Sequence, residues 1–211
     1  MNFTVIYKVH IIYKDFIKKV EGWVMLFSKF YILMKLNIGC SSRYLHGYIN
    51  IDIQGDTADL IIDAKNLPFE DCTVDEIYSS HLLEHFGRHE FSHILKEWSR
   101  VLKKGGYIYI AVPDIDSAIR HYVEHGDLKV LYGQFWGGQK DEYDHHKFGY
   151  TFKTMSEYLH DAGFENVERY NQFEYLPENF DDFSKSYMPH MDFSGQLMSL
   201  NVKASKAVHL G

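Results

Sequence analysis

From Met34 onward the chain alternates short apolar runs, several closed by a glycine or an acid, with segments of helical period. That rhythm implies a largely parallel sheet with helices packed on its faces. Residues 35–39, 48–52, 58–63 and 74–79 read as four strands. Phe91, Ile94, Leu95, Trp98, Val101 and Leu102 then fall on one helical face, and Gly105 with Gly106 stops the run. A fifth strand over 107–112 ends at Pro113. Helices are expected over about 116–125 and 152–162, the second turning Met155, Tyr158, Leu159 and Ala162 inward and capped by Gly163. Strands around 166–173 and 196–204 close the chain, Met198, Leu200, Val202 and Ala204 alternating with Ser199, Asn201 and Lys203.

A chain of 211 residues, 45% hydrophobic and 24% charged, suits one domain with a proper core. The net charge of −7 argues against a phosphate-backbone grip, so no nucleic-acid partner is expected. Two cysteines, Cys40 and Cys72, make no disulfide framework and suit a reducing, cytoplasmic setting. Residues 1–33 stand apart, with a net of +3 against −10 for 34–211. Within them Ile12, Phe16, Val20, Trp23, Phe27 and Tyr31 recur at amphipathic-helix spacing. Lysines interrupt the segment too often for a transmembrane span. Three readings remain: a helix packed on the domain, a helix making peripheral membrane or partner contact, or an upstream translation start ahead of Met34. The domain proper is taken as 34–211.

Open α/β sheets bind ligands at the C-terminal ends of their strands. Gly39 ends the first strand, where the lack of a Cβ lets a ligand approach the backbone. Asp52 ends the second, where a carboxylate can accept from a ribose diol, and Asp63 ends the third, where it can accept from an exocyclic amine. Leu-Asn-Ile-Gly-Cys (36–40), Ile-Asn-Ile-Asp-Ile (49–53), Asp-Ala-Lys-Asn-Leu-Pro-Phe (63–69), 74–85 and Arg-Val-Leu-Lys-Lys-Gly-Gly (100–106) together resemble the class I S-adenosylmethionine-dependent methyltransferases, type 11 branch. The resemblance implies a Rossmann-like sandwich with a mostly parallel sheet, an antiparallel C-terminal strand and helices on both faces. It implies S-adenosylmethionine as cofactor, with Gly39 under the methionine moiety, Asp52 on the ribose and Asp63 with the Ala64 backbone on adenine. Asn37, Cys40, Ile53 and Ser80 complete the implied cofactor contacts.

Departures accompany the likeness. Asn37 stands where an acid is common and Ser41 where a second glycine is common. Only eight residues separate Gly39 from Tyr48, so the first helix is shortened or missing. A domain that binds the cofactor without turnover therefore stays open. A dinucleotide site does not, because the Gly-x-Gly-x-x-Gly fingerprint is absent and the acid follows too soon.

His81, Glu84 and His85 spell the His-x-x-Glu-His zinc-hydrolase signature, with two histidines on one helical face. Short matches come easily in a chain with 13 histidines, and the methyltransferase branch commonly has Leu-Glu-His here. No metal is expected, and a zinc hydrolase through these residues is the remote alternative. Residues 126–150 have little periodicity and read as a lid-like insertion. Phe135 and Trp136 would stack on a sugar or anchor the loop, while Asp144, His145, His146, Lys147 and Tyr150 would supply polar groups. Asp114 reads as a helix cap. Methyl transfer to a hydroxyl needs a base, and His146 is named first and His81 second. The acceptor expected by analogy is a small molecule or sugar, in glycan or polysaccharide biosynthesis.

Overall fold

The computed structural model describes residues 33–190 and 192–208. The amphipathic segment 1–33 lies outside these residues apart from Leu33, so its readings rest on sequence alone. The sheet takes its rows from β1 (Lys35–Ile38), β2 (Ile49–Asp52), β3 (Leu60–Ile61), β4 (Val74–Ser80), β5 (Leu102–Pro113), β6 (Phe164–Arg169) and β9 (Ser199–Lys206). Their spatial order is β3-β2-β1-β4-β5-β9-β6. The first five are parallel, and β9 runs antiparallel between β5 and β6. This is the mostly parallel, Rossmann-like sheet with an antiparallel C-terminal strand that the sequence implied. The order reverses between β1 and β4, the crevice where such sheets hold ligands.

One face is covered by α1 (Phe91–Val101) and α4 (Phe152–Asp161). Their apolar sides meet the sheet through Phe91, Trp98, Met155 and Leu159, against Ile77, Ile108, Ile110 and Val202. Alternation along β4 and β5 turns Tyr78 and Tyr109 to the other face. There the cover is thin: no helix spans residues 40–48, as the short spacing predicted. The one-turn helix α5 (Gln172–Tyr175) fills in, with Tyr175 stacked on Tyr109 at 3.7 Å between ring centroids. Tyr78 donates its hydroxyl to buried Asp182, tying the segment after α5 to the middle of the sheet. Aromatic rings thus bury that face where longer helices are lacking, and each covers more area than an aliphatic side chain.

Several boundaries differ from the sequence reading. α1 ends one residue earlier than expected and Gly105–Gly106 lies inside β5, where a Cβ on Gly106 would stand 2.9 Å from the Asp75 carbonyl oxygen. The strand expected over 166–173 stops at Arg169, because Asn171 caps α5 by accepting from the Phe173 N–H. The strand expected over 196–204 is split: β8 (Gln196–Leu197) pairs with β7 (Tyr187–Met188), and β9 starts only at Ser199. Residues 126–150 contain a 3-10 turn (Lys129–Leu131) and the short helix α3 (Tyr132–Trp136), which follow α2 (Ile115–His125). Asp114 does cap α2, accepting from the Ser117 N–H. Among the described residues no helix is long and apolar enough to cross a membrane.

Candidate active site

The turn after β1 is built around Gly39, whose φ of +78° lies in the left-handed region that side chains avoid. A Cβ there would stand 2.8 Å from Cδ2 of Leu82, so the turn is closely packed as well as left-handed. The N–H groups of Gly39 and Cys40 both donate to the Ile51 carbonyl, locking the turn to β2. Across it, Asp52 Oδ2 accepts from the Ser41 N–H at 2.7 Å, while Oδ1 accepts from Ile53 at 2.7 Å and Gln54 at 3.3 Å. Asp52 therefore shapes the loop that a ribose would meet. Ile53 beside it is 46% exposed, an apolar surface suited to a flat ring.

The other implied cofactor residues fall along the same edge in different states. Asp63 Oδ1 accepts from the Lys65 N–H, and its Oδ2 lies 3.5 Å from Lys65 Nζ. The Ala64 carbonyl accepts from Trp98 Nε1 at 3.0 Å, so α1 holds this loop in place. Asn37 is buried, its amide donating to Asn50 Oδ1 and the Arg43 carbonyl. It stitches β1 to β2. Cys40 is buried, and burial, reinforced by Asp52 and Asp59, pushes its thiol up to about 11, so it stays protonated at neutral pH. Ser79 donates to the Ile38 carbonyl, whereas the buried Ser80 Oγ has no hydrogen-bond partner among the described residues. A left-handed glycine turn, a strand-end carboxylate, exposed Ile53 and a Ser80 hydroxyl without a partner among the described residues are groups of a kind that could hold S-adenosylmethionine.

Beyond β4 the structure gathers residues that are far apart in sequence. His81 has a left-handed backbone, φ +51°, and its N–H donates to the Ala111 carbonyl on β5. The strain aims its ring across the sheet end: Nε2 is 3.0 Å from Ser199 Oγ and Nδ1 is 3.2 Å from Glu84 Oε1. Ser199 Oγ faces two acceptors, Asn201 Oδ1 and the Val112 carbonyl, so its hydrogen goes to one of them and it accepts from His81. This network assigns the Nε2–H to His81 and turns Nδ1 toward Glu84.

Glu84 is 1% exposed, and neither carboxylate oxygen has a hydrogen-bond partner among the described residues. Burial alone would raise its carboxyl. The imidazoles of His81, then His85 and His146, outweigh that and hold it below the ordinary carboxylate range. His146 Nε2 lies 3.9 Å from Glu84 Oε1, and the rings of His85 and His146 stand edge to face at 5.0 Å. Burial holds His146 below the ordinary imidazole value despite Glu84.

The expectation of two histidines on one helical face is corrected. Residues 83–85 form a single 3-10 turn and His81 precedes it in a left-handed conformation, so His81 and His85 share no α-helical face. The insertion also differs in part. Phe135 packs on the cluster of Ala118, Leu131 and Met198 and anchors the loop, whereas Trp136 is 45% exposed. Tyr150 is fully buried and donates to the Leu83 carbonyl. Sequence reasoning singled out His81 and Glu84 together, in one short motif, and His146 apart from them. Ser199 and Asn201 it missed, since in a strand of alternating period they read as outward-facing polar residues.

Comparison with known proteins bears on the fold. A family model described as a methyltransferase domain matches residues 39–110. No curated protein matches. A solved S-adenosylmethionine-dependent methyltransferase from Archaeoglobus fulgidus is 18% identical over 82% of this chain and 86% of its own, with a TM-score of 0.51. One from Methanosarcina mazei is 18% identical over 83% and 93%, also at 0.51. One from Thermotoga maritima, described as a possible histamine N-methyltransferase, is 17% identical over 92% and 98%, again at 0.51. These likenesses speak for the fold, and the family match spans Gly39 and the ends of β2 and β4. Residues 39–110 thus match a methyltransferase-domain model, and the fold is shared with solved S-adenosylmethionine-dependent methyltransferases.

Proposed function

We propose that this methyltransferase acts on a hydroxyl of a small molecule or sugar, in the cytoplasmic making of a glycan or polysaccharide, and not on nucleic acid. The observation that carries the reading is the pairing of His81 and His146 with buried Glu84 at the ends of β4 and β5. A hydroxyl must lose its proton as it is methylated, and an amine or thiolate needs such help less.

The cofactor supplies a methyl group already activated on a sulfonium. The protein's task is to position the acceptor and keep the site dry. Gly39, Cys40, Asp52 and Ile53 are proposed to hold the methionine and ribose portions, Asp63 and Ala64 the adenine, and Ser80 the reacting end. Asn37, with its amide engaged between strands, acts through the shape of the turn. His146, whose Nδ1 meets the Gln134 carbonyl and leaves Nε2 free, is the group available to take the acceptor's proton, with His81 bracing Glu84 beside it. The exposed Trp136 offers a face for a sugar ring.

The test incubates the full chain with methyl-labelled S-adenosylmethionine and a panel of free and nucleotide-linked sugars, following release of S-adenosylhomocysteine. An alkali-stable methyl ether is expected. Products that are N-methyl amines or alkali-labile methyl esters would contradict the hydroxyl reading.

A further inference from the structure

We infer that Glu84, His85 and His146 form a binding site for one divalent transition-metal cation. The atoms these three side chains could offer a cation all lie within 4.8 Å of one another. Two imidazoles with one carboxylate suit zinc, manganese, cobalt or ferrous ions better than magnesium or calcium, which favour oxygen ligands.

Three independent features point to a cation rather than to chance proximity. Glu84 is an acid at 1% exposure whose Oε2 has no partner among the described residues and whose Oε1 meets only the His81 and His146 imidazoles, at 3.2 and 3.9 Å, an arrangement that is costly unless a positive charge stands nearby. His146 Nδ1 is 3.0 Å from the Gln134 carbonyl and His85 Nδ1 is 3.2 Å from the His145 carbonyl. Each ring therefore carries its hydrogen on Nδ1 and presents the Nε2 lone pair, the anchoring by which proteins orient metal-binding histidines. Finally, the N–H groups of Lys147 and Phe148 donate to the Glu84 carbonyl, fixing the loop that bears His146 onto the turn that bears Glu84 and His85.

With metal–ligand bonds near 2.1 Å, ligand atoms stand roughly 3–3.5 Å apart. Closing the site from separations of up to 4.8 Å thus requires up to roughly 1.5 Å of side-chain movement, which half-buried His85 can supply. Three protein ligands leave further positions open for water or an acceptor oxygen, as in catalytic rather than structural metal sites.

This deepens the hydroxyl reading and rests on it for its chemical meaning. A cation that takes the acceptor hydroxyl as a ligand lowers its pKa. The oxygen then bonds to the methyl carbon as the carbon–sulfur bond breaks with its electron pair onto sulfur. The proton leaves to water as the cation takes the hydroxyl, and the metal keeps its oxidation state. His146 is a ligand in this account, and His81, held between Ser199 and Glu84, positions the Glu84 carboxylate.

The test titrates the full chain, stripped with chelator, with cobalt(II) and follows the visible absorption of the bound ion. A band saturating at one equivalent and displaced by zinc is expected. Glu84→Gln and His85→Ala should each weaken binding by roughly tenfold or more, with the distant His125→Ala unchanged. Because Glu84 is interior, the His85 variant serves as the informative one if Glu84→Gln fails to fold. The absence of a saturable band, or a band unaffected in both variants, overturns the site. S-adenosylmethionine titration of the same stripped protein reports separately: cofactor binding without cobalt binding removes the metal and leaves the methyltransferase standing.

Discussion

His81 Nδ1 stands 3.2 Å from Oε1 of Glu84, yet the loop around His146 is held by Glu84's backbone carbonyl, not by that carboxylate. Chemistry and scaffolding are therefore separable at this residue. Glu84→Gln is expected to fold with a stability change of about 1 kcal/mol, measured by urea denaturation. Its methyl transfer, followed by S-adenosylhomocysteine release, should drop by roughly 100-fold or more. A variant with full activity would remove Glu84 from the chemistry.

The turn after β1 should tolerate no side chain. Gly39→Ala meets both a left-handed backbone and Leu82 at 2.8 Å. The backbone term alone costs about 1–2 kcal/mol, which lowers the melting temperature by roughly 2–8 °C for a chain of this size. Cofactor affinity should fall with it. A thermal melt with and without S-adenosylmethionine checks both effects, and an unchanged melt would contradict the packing described.

Trp98→Phe tests whether α1 supports the adenine end. The substitution keeps most of the buried ring and deletes the hydrogen bond from Nε1 to the Ala64 carbonyl. A loss of about 1 kcal/mol is expected from that bond, together with weaker cofactor binding as the Asp63–Ala64 loop loosens. Unchanged affinity alongside the stability loss would separate this tie from the cofactor site.

Much of this was legible in the sequence because it depends on local pattern. β1, β2 and β4 end within a residue or so of where glycine, aspartate or serine closes an apolar run, and α1 follows its apolar face from Phe91. The region from Asn171 to Met198 was not legible. Its order comes from Tyr78 meeting Asp182 and Tyr175 stacking on Tyr109, partners about a hundred and about seventy residues apart, which no local period records. The histidine cluster was half legible for the same reason. His81, Glu84 and His85 are neighbours in the chain, but only the fold brings in His146 and shows that Ser199 and Asn201 fix the His81 ring.

The depressed imidazole of His146 makes stability depend on pH in a defined window. In the unfolded chain it takes a proton near its ordinary value of 6.5, whereas burial delays this in the fold. Stability from this residue is thus whole above that value and declines as pH falls through it, levelling below the folded value. Denaturation midpoints from pH 8 to pH 5 should fall for the wild-type chain and fall less for His146→Gln. Equal slopes would mean that the imidazole is not buried in its neutral form.

The most direct test of the account is calorimetric titration of the full chain with S-adenosylmethionine, beside Asp52→Ala with its fold verified by circular dichroism. The account predicts saturable binding at one equivalent, weakened at least about tenfold in the variant through loss of charge-assisted hydrogen bonds. A folded wild-type chain that binds no cofactor would contradict it, and equal binding by the folded variant would contradict the place given to Asp52.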